Sequence, residues 1–184
     1  GHDHGGGEGR RGAARGTITA AAEAGSAGGE GVLRIEAVPS PSTNTQYSFN
    51  TTYRFNSSQL PWADALAACQ ALGPAWSLAE IHNQAEQDAL VSAMQASSEI
   101  SGRIWIGLRA SGGTGTWAAS GATITISGAA DFQAPGGWRN DNAPTSGDKC
   151  VRIRVSEGTW DSKNCGNLNN FVCQTTSAVG SWTA

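Results

Sequence analysis

Apolar and polar residues alternate along much of this chain, with two stretches of helical spacing between the alternating runs. Val32 to Val38 alternates well enough for one strand, which Pro39 and Pro41 end. Tyr47, Phe49, Tyr53 and Phe55 alternate with polar residues, so 47–55 reads as a strand or a hairpin. Pro61 suits the first turn of a helix. Trp62, Leu66, Cys69 and Leu72 then recur at helical spacing until Gly73-Pro74 stops the run. Asn83 followed by Glu86 resembles a capping box, and it opens a second helix over about 84–95 that buries Leu90 and Met94. Ile104-Trp105-Ile106-Gly107-Leu108 is a compact buried strand. Gly112, Gly113 and Gly115 form the next turn, Thr116-Trp117 follows, and Thr123 to Ile126 alternates once more. From 127 to 149 periodicity is lost among Gly, Pro, Asn and Asp, and a loop of that length in a compact domain is usually functional or disordered.

Composition narrows the picture. The 184 residues fit one domain with a tail. Residues 1–31 hold too little apolar surface to offset the entropy of ordering them and read as a flexible tail. There His2 and His4 flank Asp3, a pattern able to hold copper or nickel, although an unstructured polar terminus is the reading adopted. A net charge of -3 with no basic stripe excludes nucleic acid as the expected partner. No apolar run approaches the ~20 residues of a membrane helix. With Gly at position 1 and no signal-peptide apolar segment, a processed chain is expected.

Three of the four cysteines (Cys150, Cys165 and Cys173) fall in the dense stretch 138–173, and Cys69 lies far upstream. None form a Cys-x-x-Cys pair, which argues against zinc ribbons and thioredoxin-type sites. Two bridges in an oxidising, extracellular setting are expected, with three connectivities open. The sequons at Asn50 and Asn56 are candidate glycosylation sites compatible with secretion.

An ordered set of motifs over about 47–175 resembles the C-type lectin-like domain. It comprises Trp62-Ala63, Ala68-Cys69, Leu78-Ala79-Glu80-Ile81, Trp105-Ile106-Gly107-Leu108 and Gly115-Thr116-Trp117. It continues with Trp138, Cys150-Val151, Gly158-Thr159-Trp160, Cys165 and Phe171-Val172-Cys173. The resemblance implies an α+β fold with two helices flanking small antiparallel sheets and a long binding loop. It implies the pairings Cys69–Cys173 and Cys150–Cys165 of a four-cysteine short form. Residues 1–46 are then an amino-terminal tail or extension, 47–175 the domain and 176–184 a carboxy-terminal tail. Trp105, Trp138 and Trp160 occupy core positions of the family. Trp76 and Trp182 fall outside its motifs, and either, if exposed, is a binding candidate.

Sugar-binding members of the family hold calcium with a Glu-Pro-Asn or Gln-Pro-Asp triplet, an acidic residue before the third cysteine and a Trp-Asn-Asp strand. Ca²⁺ needs 6–8 oxygens. In this chain the triplet is Ala143-Pro144-Thr145, the acidic residue is Asp148 and the strand reads Trp160-Asp161-Ser162. The candidate ligand-binding residues are therefore Asn142, Thr145, Asp148 and Asp161, and the candidate calcium ligands Asp148, Asp161 and Asp141. With Ala143 and Ser162 poor substitutes, calcium dependence is expected to be weak or absent. Asp141 and Asn142 also suit plain turn formation.

His82, the one His outside the tail, begins a helix away from the long loop, and both bridges leave no nucleophilic cysteine. No enzyme is expected. The function expected is an extracellular, secreted module that recognises carbohydrate on a glycan or glycoprotein. The alternative is the same fold used for protein–protein contacts or self-assembly in a surface or matrix structure, with residues 1–46 as the self-associating part.

Overall fold

The computed structural model describes the backbone of residues 18–24, 30–37, 45–126 and 134–183, with side chains over 51–126, 134–140 and 142–175. The His2–His4 pattern and the loop 127–133 lie outside the described residues, as do the side chains of Asn50, Asp141 and Trp182. The strands are β1 (Ile18–Ala24), β2 (Glu30–Ala37), β3 (Thr45–Leu60), β4 (Trp76–Leu78), β5 (Arg103–Ser111), β6 (Thr114–Trp117), β7 (Thr123–Thr125), β8 (Asp148–Arg154), β9 (Trp160–Lys163) and β10 (Asn169–Thr183). Helix α1 (Trp62–Gln70) follows β3, and α2 (Gln84–Ala96) follows β4.

The alternation of β5 explains the layering. Ile104, Ile106 and Leu108 project into one apolar cluster with Leu90 and Met94 of α2. Trp105 projects the other way, into a cluster with Trp62, Ala65 and Cys69 of α1. The neighbouring strands repeat the split: Val151, Ile153 and Val172 go to the α2 side, while Cys150, Phe171 and Cys173 go to the α1 side. A period-2 strand thus serves two cores at once, and each helix covers one face of the sheet. Fully burying each such side chain is worth about 1.5–3 kcal/mol. The α+β class and both flanking helices are as expected.

The strands form one connected network, in the order β1-β2-β3-β10-β5-β6-β7 with β8 and β9 branching from β5. The β10–β5 contact is parallel, Asn170 opposite Ile104 and Phe171 opposite Trp105. The bridges are Cys69–Cys173 and Cys150–Cys165. The first ties α1 to β10 and the second ties β8 to the turn after β9. The loop that Cys69–Cys173 closes spans 104 residues, for which the chain-entropy model gives about 4–5 kcal/mol.

Several local expectations are corrected. Of the two alternatives for 47–55 the strand is the one observed, but it is longer, Thr45–Leu60, because β2 and β10 pair along its two edges. Residues 18–24, read as part of a flexible tail, form β1, antiparallel to β2; backbone pairing supplies what their small side chains lack. From 176 onward, where a tail was expected, the backbone of β10 continues to Thr183 opposite Thr45. Helix α1 ends at Gln70, which leaves Leu72 37% exposed instead of in the core. Gly115 is not in the turn but inside β6. A Cβ there would lie 2.8 Å from Ile124 Cγ1 and 3.1 Å from Leu108 Cδ1, so close packing requires Gly. Gly107 is required in the same way, with Leu78 O 2.9 Å from where a Cβ would sit.

Candidate functional site

The stretch from 134 to 165 is built around Trp160. Its ring is fully buried and meets Trp138 edge-on at 5.9 Å and Trp117 edge-on at 6.1 Å. Its Nε1–H donates to Gln87 Oε1 of α2 at 2.9 Å, and its backbone N–H donates to Gly137 O at 2.9 Å. Trp105 and Trp160 are core residues, as expected, in the α1-side and α2-side clusters respectively, and Trp138 is half-buried against the cluster of Trp160. Trp117 is buried as well.

The loop leading to β8 is anchored by backbone and small side chains. Arg139–Asp141 makes a single 3₁₀ turn containing Asn140 in the left-handed region, φ 51°. Asn142 Nδ2 donates to Ser162 O at 3.0 Å. Ala143 packs with Ala110 and Ile126 in a small apolar cluster. A carboxylate or amide at that position would have to enter this cluster, so Ala143 is a packing residue in this chain. Thr145 is exposed, and its N–H donates to Ala143 O at 2.9 Å.

Two of the three carboxylates expected to share an ion, Asp148 and Asp161, are each held by arginines. Asp148 is exposed at the start of β8, where Arg109 of β5 grips it with both arms, Nε to Oδ1 at 2.8 Å and NH2 to Oδ2 at 2.6 Å. This hydrogen bonding holds the Asp148 carboxyl below its ordinary pKa and raises the Arg109 guanidinium. Asp161 lies directly across from Arg152 of β8. Arg152 donates Nε to Oδ1 at 2.7 Å and NH2 to Oδ2 at 2.9 Å, and Arg103 Nε reaches Oδ2 at 3.1 Å. The Arg152 and Asp161 side chains are each only 6% exposed. Arg152 also donates to Asn169 Oδ1 at 3.2 Å and lies over the Trp105 ring at 5.9 Å.

Asp148 is four residues along β8 from Arg152, roughly 13 Å of strand, whereas one Ca²⁺ draws all its oxygens to within about 2.6 Å. Among the described residues, no group of three or more His, Cys, Asp or Glu side chains could hold a metal ion. The donor set among the described residues does not fit the family's calcium ion. Ala143 brings no oxygen, and Asp161 is buried under two guanidinium groups. No chemistry below is routed through that ion.

What the corner does present is a recess of about 320 Å³ beside the Arg109–Asp148 pair, lined also by Ser111, Thr114 and Thr116. Antiparallel pairing sets these residues on one face of β5, β6 and β8. Sequence reasoning found Asp148 and missed the other four. The available signal was the alternation of Arg103, Trp105, Arg109 and Ser111 on one face of β5. Of the candidate glycan acceptors, Asn56 lies on β3, half-buried, and its Oδ1 accepts from Ser58 N at 2.9 Å. Asn50 lies on the same strand, opposite Ser177.

Comparison with known proteins agrees with this architecture. The family profile described as the Lectin C-type domain matches residues 58–175. Dromaiocalcin-1 of Dromaius novaehollandiae is 30% identical over 145 residues, 76% of this chain and 93% of that protein. Ovocleidin-17 of Gallus gallus is 30% identical over 129 residues, 65% of this chain and 85% of that protein. Its crystal structure, described as that of a major protein of the eggshell calcified layer, superposes with a TM-score of 0.53 at 24% identity, over 76% of this chain and 96% of that one. Human lithostathine superposes with a TM-score of 0.55 at 24% identity, over 69% of this chain and 92% of that one. No helix among the described residues is long and apolar enough to cross a membrane. With the profile covering more than half of the sequence, and with both bridges and both helices in place, the chain belongs to the C-type lectin domain family.

Proposed function

We propose that this chain is an extracellular recognition module that binds carbohydrate without calcium, through the recess of Arg109, Ser111, Thr114, Thr116 and Asp148. The observation that carries this reading is the exposed two-pronged Arg109–Asp148 pair set in a wall of hydroxyls. A sugar hydroxyl both donates and accepts. Arg109 uses two of its five N–H groups on Asp148, and each carboxylate oxygen retains a lone pair. Adjacent sugar hydroxyls can therefore accept from the guanidinium and donate to the carboxylate, with the Thr and Ser hydroxyls completing the pattern. Thr145 and Asn142 flank this corner in sequence and belong to the same proposed surface. Glycan attachment at Asn50 and Asn56 fits the same extracellular setting.

The test is a glycan array probed once in CaCl₂ and once in EGTA, with wild type and Asp148→Asn. Equal binding in both buffers, lost in the variant, is expected. Binding that requires calcium, or that survives in Asp148→Asn, overturns the reading. A second reading is assembly in a surface or matrix structure, favoured by the kinship to ovocleidin-17, whose structure is described as that of an eggshell-layer protein. Sedimentation of the full chain across a concentration series tests it: a monomer throughout removes self-association.

A further inference from the structure

The two bridges differ in how a thiol can reach them. Cys69 and Cys173 are 0% and 2% exposed. Cys173 sits inside the sheet, opposite Arg54 of β3 and Leu78 of β4. Cys150 is also 0% exposed, but its partner Cys165 is half-buried. Cys165 lies in the turn between β9 and β10, beside exposed Asn164, Gly166, Asn167 and Leu168. Thiol–disulfide exchange needs access to a sulfur, so Cys165 is the point of entry. Lys163 of β9 stands directly opposite Cys150, and Lys149 precedes Cys150 in sequence. Cationic neighbours favour a thiolate, which leaves faster.

The reachable bridge clips the corner that carries Asp148. Strand β8 pairs with β5 in two pieces, separated by an irregularity between Trp105 and Arg109. The outer piece sets Cys150 opposite Arg109, Lys149 opposite Ala110 and Asp148 opposite Ser111. The β9 ladder reaches only as far as Cys150, so Lys149 and Asp148 are paired on the β5 side alone. Beyond the ladder, this end of β8 has the exposed Arg109–Asp148 pair, and exposed pairs are weak. The inner piece is different: β9 flanks it, and it holds the buried Arg152–Asp161 pair. The turn also has its own anchor, since Trp62 N donates to Cys165 O at 2.9 Å. When the sulfur link opens, the turn keeps its place at the start of α1, and the part released is the outer end of β8.

We propose that Cys150–Cys165 is a redox latch on the Arg109–Asp148 corner, opened in the folded chain by a dithiol reductant while Cys69–Cys173 stays closed. A thiolate of the dithiol attacks Cys165 Sγ. The Cys150–Cys165 bond breaks, Cys150 leaves as a thiolate and takes up a proton. The second thiol of the reductant then attacks the mixed disulfide, and Cys165 is released and protonated in turn. The bridge gains two electrons and two protons, and the dithiol loses both and closes to its own disulfide. With the latch open, Asp148 is no longer fixed against Arg109. The latch acts on the geometry of the corner, and it holds whether or not that corner takes a sugar.

The experiment treats the folded full chain with graded dithiothreitol, traps free thiols with iodoacetamide and maps them by mass spectrometry. Cys150 and Cys165 should be labelled at least about tenfold faster than Cys69 and Cys173, because exchange follows access. In parallel, nitrogen–proton NMR follows the side-chain Nε–H of Arg109 and of Arg152. Selective reduction should speed water exchange of the Arg109 signal several-fold and leave Arg152 and the amides of Ile104 and Ile153 protected. The double variant Cys150→Ser with Cys165→Ser should fold, show the same Arg109 change without reductant, and no longer respond to dithiothreitol. The proposal is overturned if both bridges open at one rate, or if Cys69–Cys173 opens first. It is also overturned if Cys150–Cys165 opens only as Ile104 and Ile153 lose protection, if the double variant does not fold, or if Arg109 is unmoved by reduction. No glycan enters the measurement, so its outcome is separate from that of the glycan array.

Discussion

Replacing Asp161 by Ala strands the Arg152 guanidinium inside the sheet. Both side chains are 6% exposed, so water cannot take the place of the lost carboxylate. Three charge-assisted hydrogen bonds disappear together, at 2.7, 2.9 and 3.1 Å. Arg152 keeps only Asn169 Oδ1 and the face of Trp105. Breaking a buried pair from one side costs about 3–5 kcal/mol, against a total of about 5–15 kcal/mol for a domain. The expected fall in melting temperature is roughly 10–20 °C. Arg152→Met should cost less, about 2–3 kcal/mol, because Arg103, 35% exposed, still bonds Asp161. The double variant Arg152→Met with Asp161→Leu should recover most of the loss, since a buried pair exchanged for apolar residues is often neutral. Urea unfolding followed by tryptophan fluorescence, in CaCl₂ and in EGTA, measures all three, and each value should be the same in both buffers. A loss below about 1 kcal/mol for Asp161→Ala would refute the buried-pair energetics. A calcium stabilisation of wild type that vanished in Asp161→Ala would refute the reading that arginine, and not a metal, holds this carboxylate.

Cys69→Ser should destabilise by about 4–5 kcal/mol and Cys150→Ser by about 3 kcal/mol, the difference following from loops of 104 and 15 residues; urea unfolding of each variant measures it. Asp148→Asn should cost no more than about 1 kcal/mol, because the pair is half exposed and screened. The Asp148 pKa is depressed in the folded state by Arg109, so its contribution is present above the ordinary carboxylate pKa and is lost as pH falls through the lower folded value. Wild-type and Asp148→Asn unfolding curves should therefore differ at neutral pH and converge in acid. Glu80→Ala should cost about 2–3 kcal/mol, since the Glu80 carboxylate accepts from Ala119 N at 3.0 Å and Ser120 N at 2.7 Å. Hydrogen exchange should show those two amides losing protection.

Elements set by local pattern were legible in the sequence. The Asn83 cap is present, with Oδ1 accepting from Glu86 N at 2.9 Å, while Glu86 reaches back to His82 N at 2.8 Å. Leu90 and Met94 are buried on α2, as their spacing implied. Strand β4 was not legible, because three residues carry no periodicity and β10 is what orders them. The candidate site was legible only by one partner of each pair. Asp148 could be named from its place before Cys150, but Arg109 lies 39 residues away and reaches it through strand pairing. Asp161 read as a displaced calcium ligand because nothing local reveals that Arg152 and Arg103, on two different strands, both aim at it.

These arginines change what the corner can respond to. The resemblance to sugar-binding relatives implies an ion taken from solution, whose open coordination positions receive sugar oxygens. In this chain the cations at Asp148 and Asp161 are part of the polypeptide and rise from sheet strands, with Cys150 on β8 bridged to Cys165 between them and the following turn. Their presence does not vary with calcium concentration, so the shape of the corner should not vary with it either. A guanidinium has no coordination sphere to share, and its fork fixes the direction of each N–H. Recognition at Arg109 would then depend on the direction of hydrogen bonds and not on the spacing of two oxygens around an ion. A ligand that satisfied Arg109 and Asp148 together would be discriminated by how its hydroxyls point, and adding chelator would leave that discrimination unchanged. Salt would weaken it only modestly, because the pair is mutually neutral before the ligand arrives.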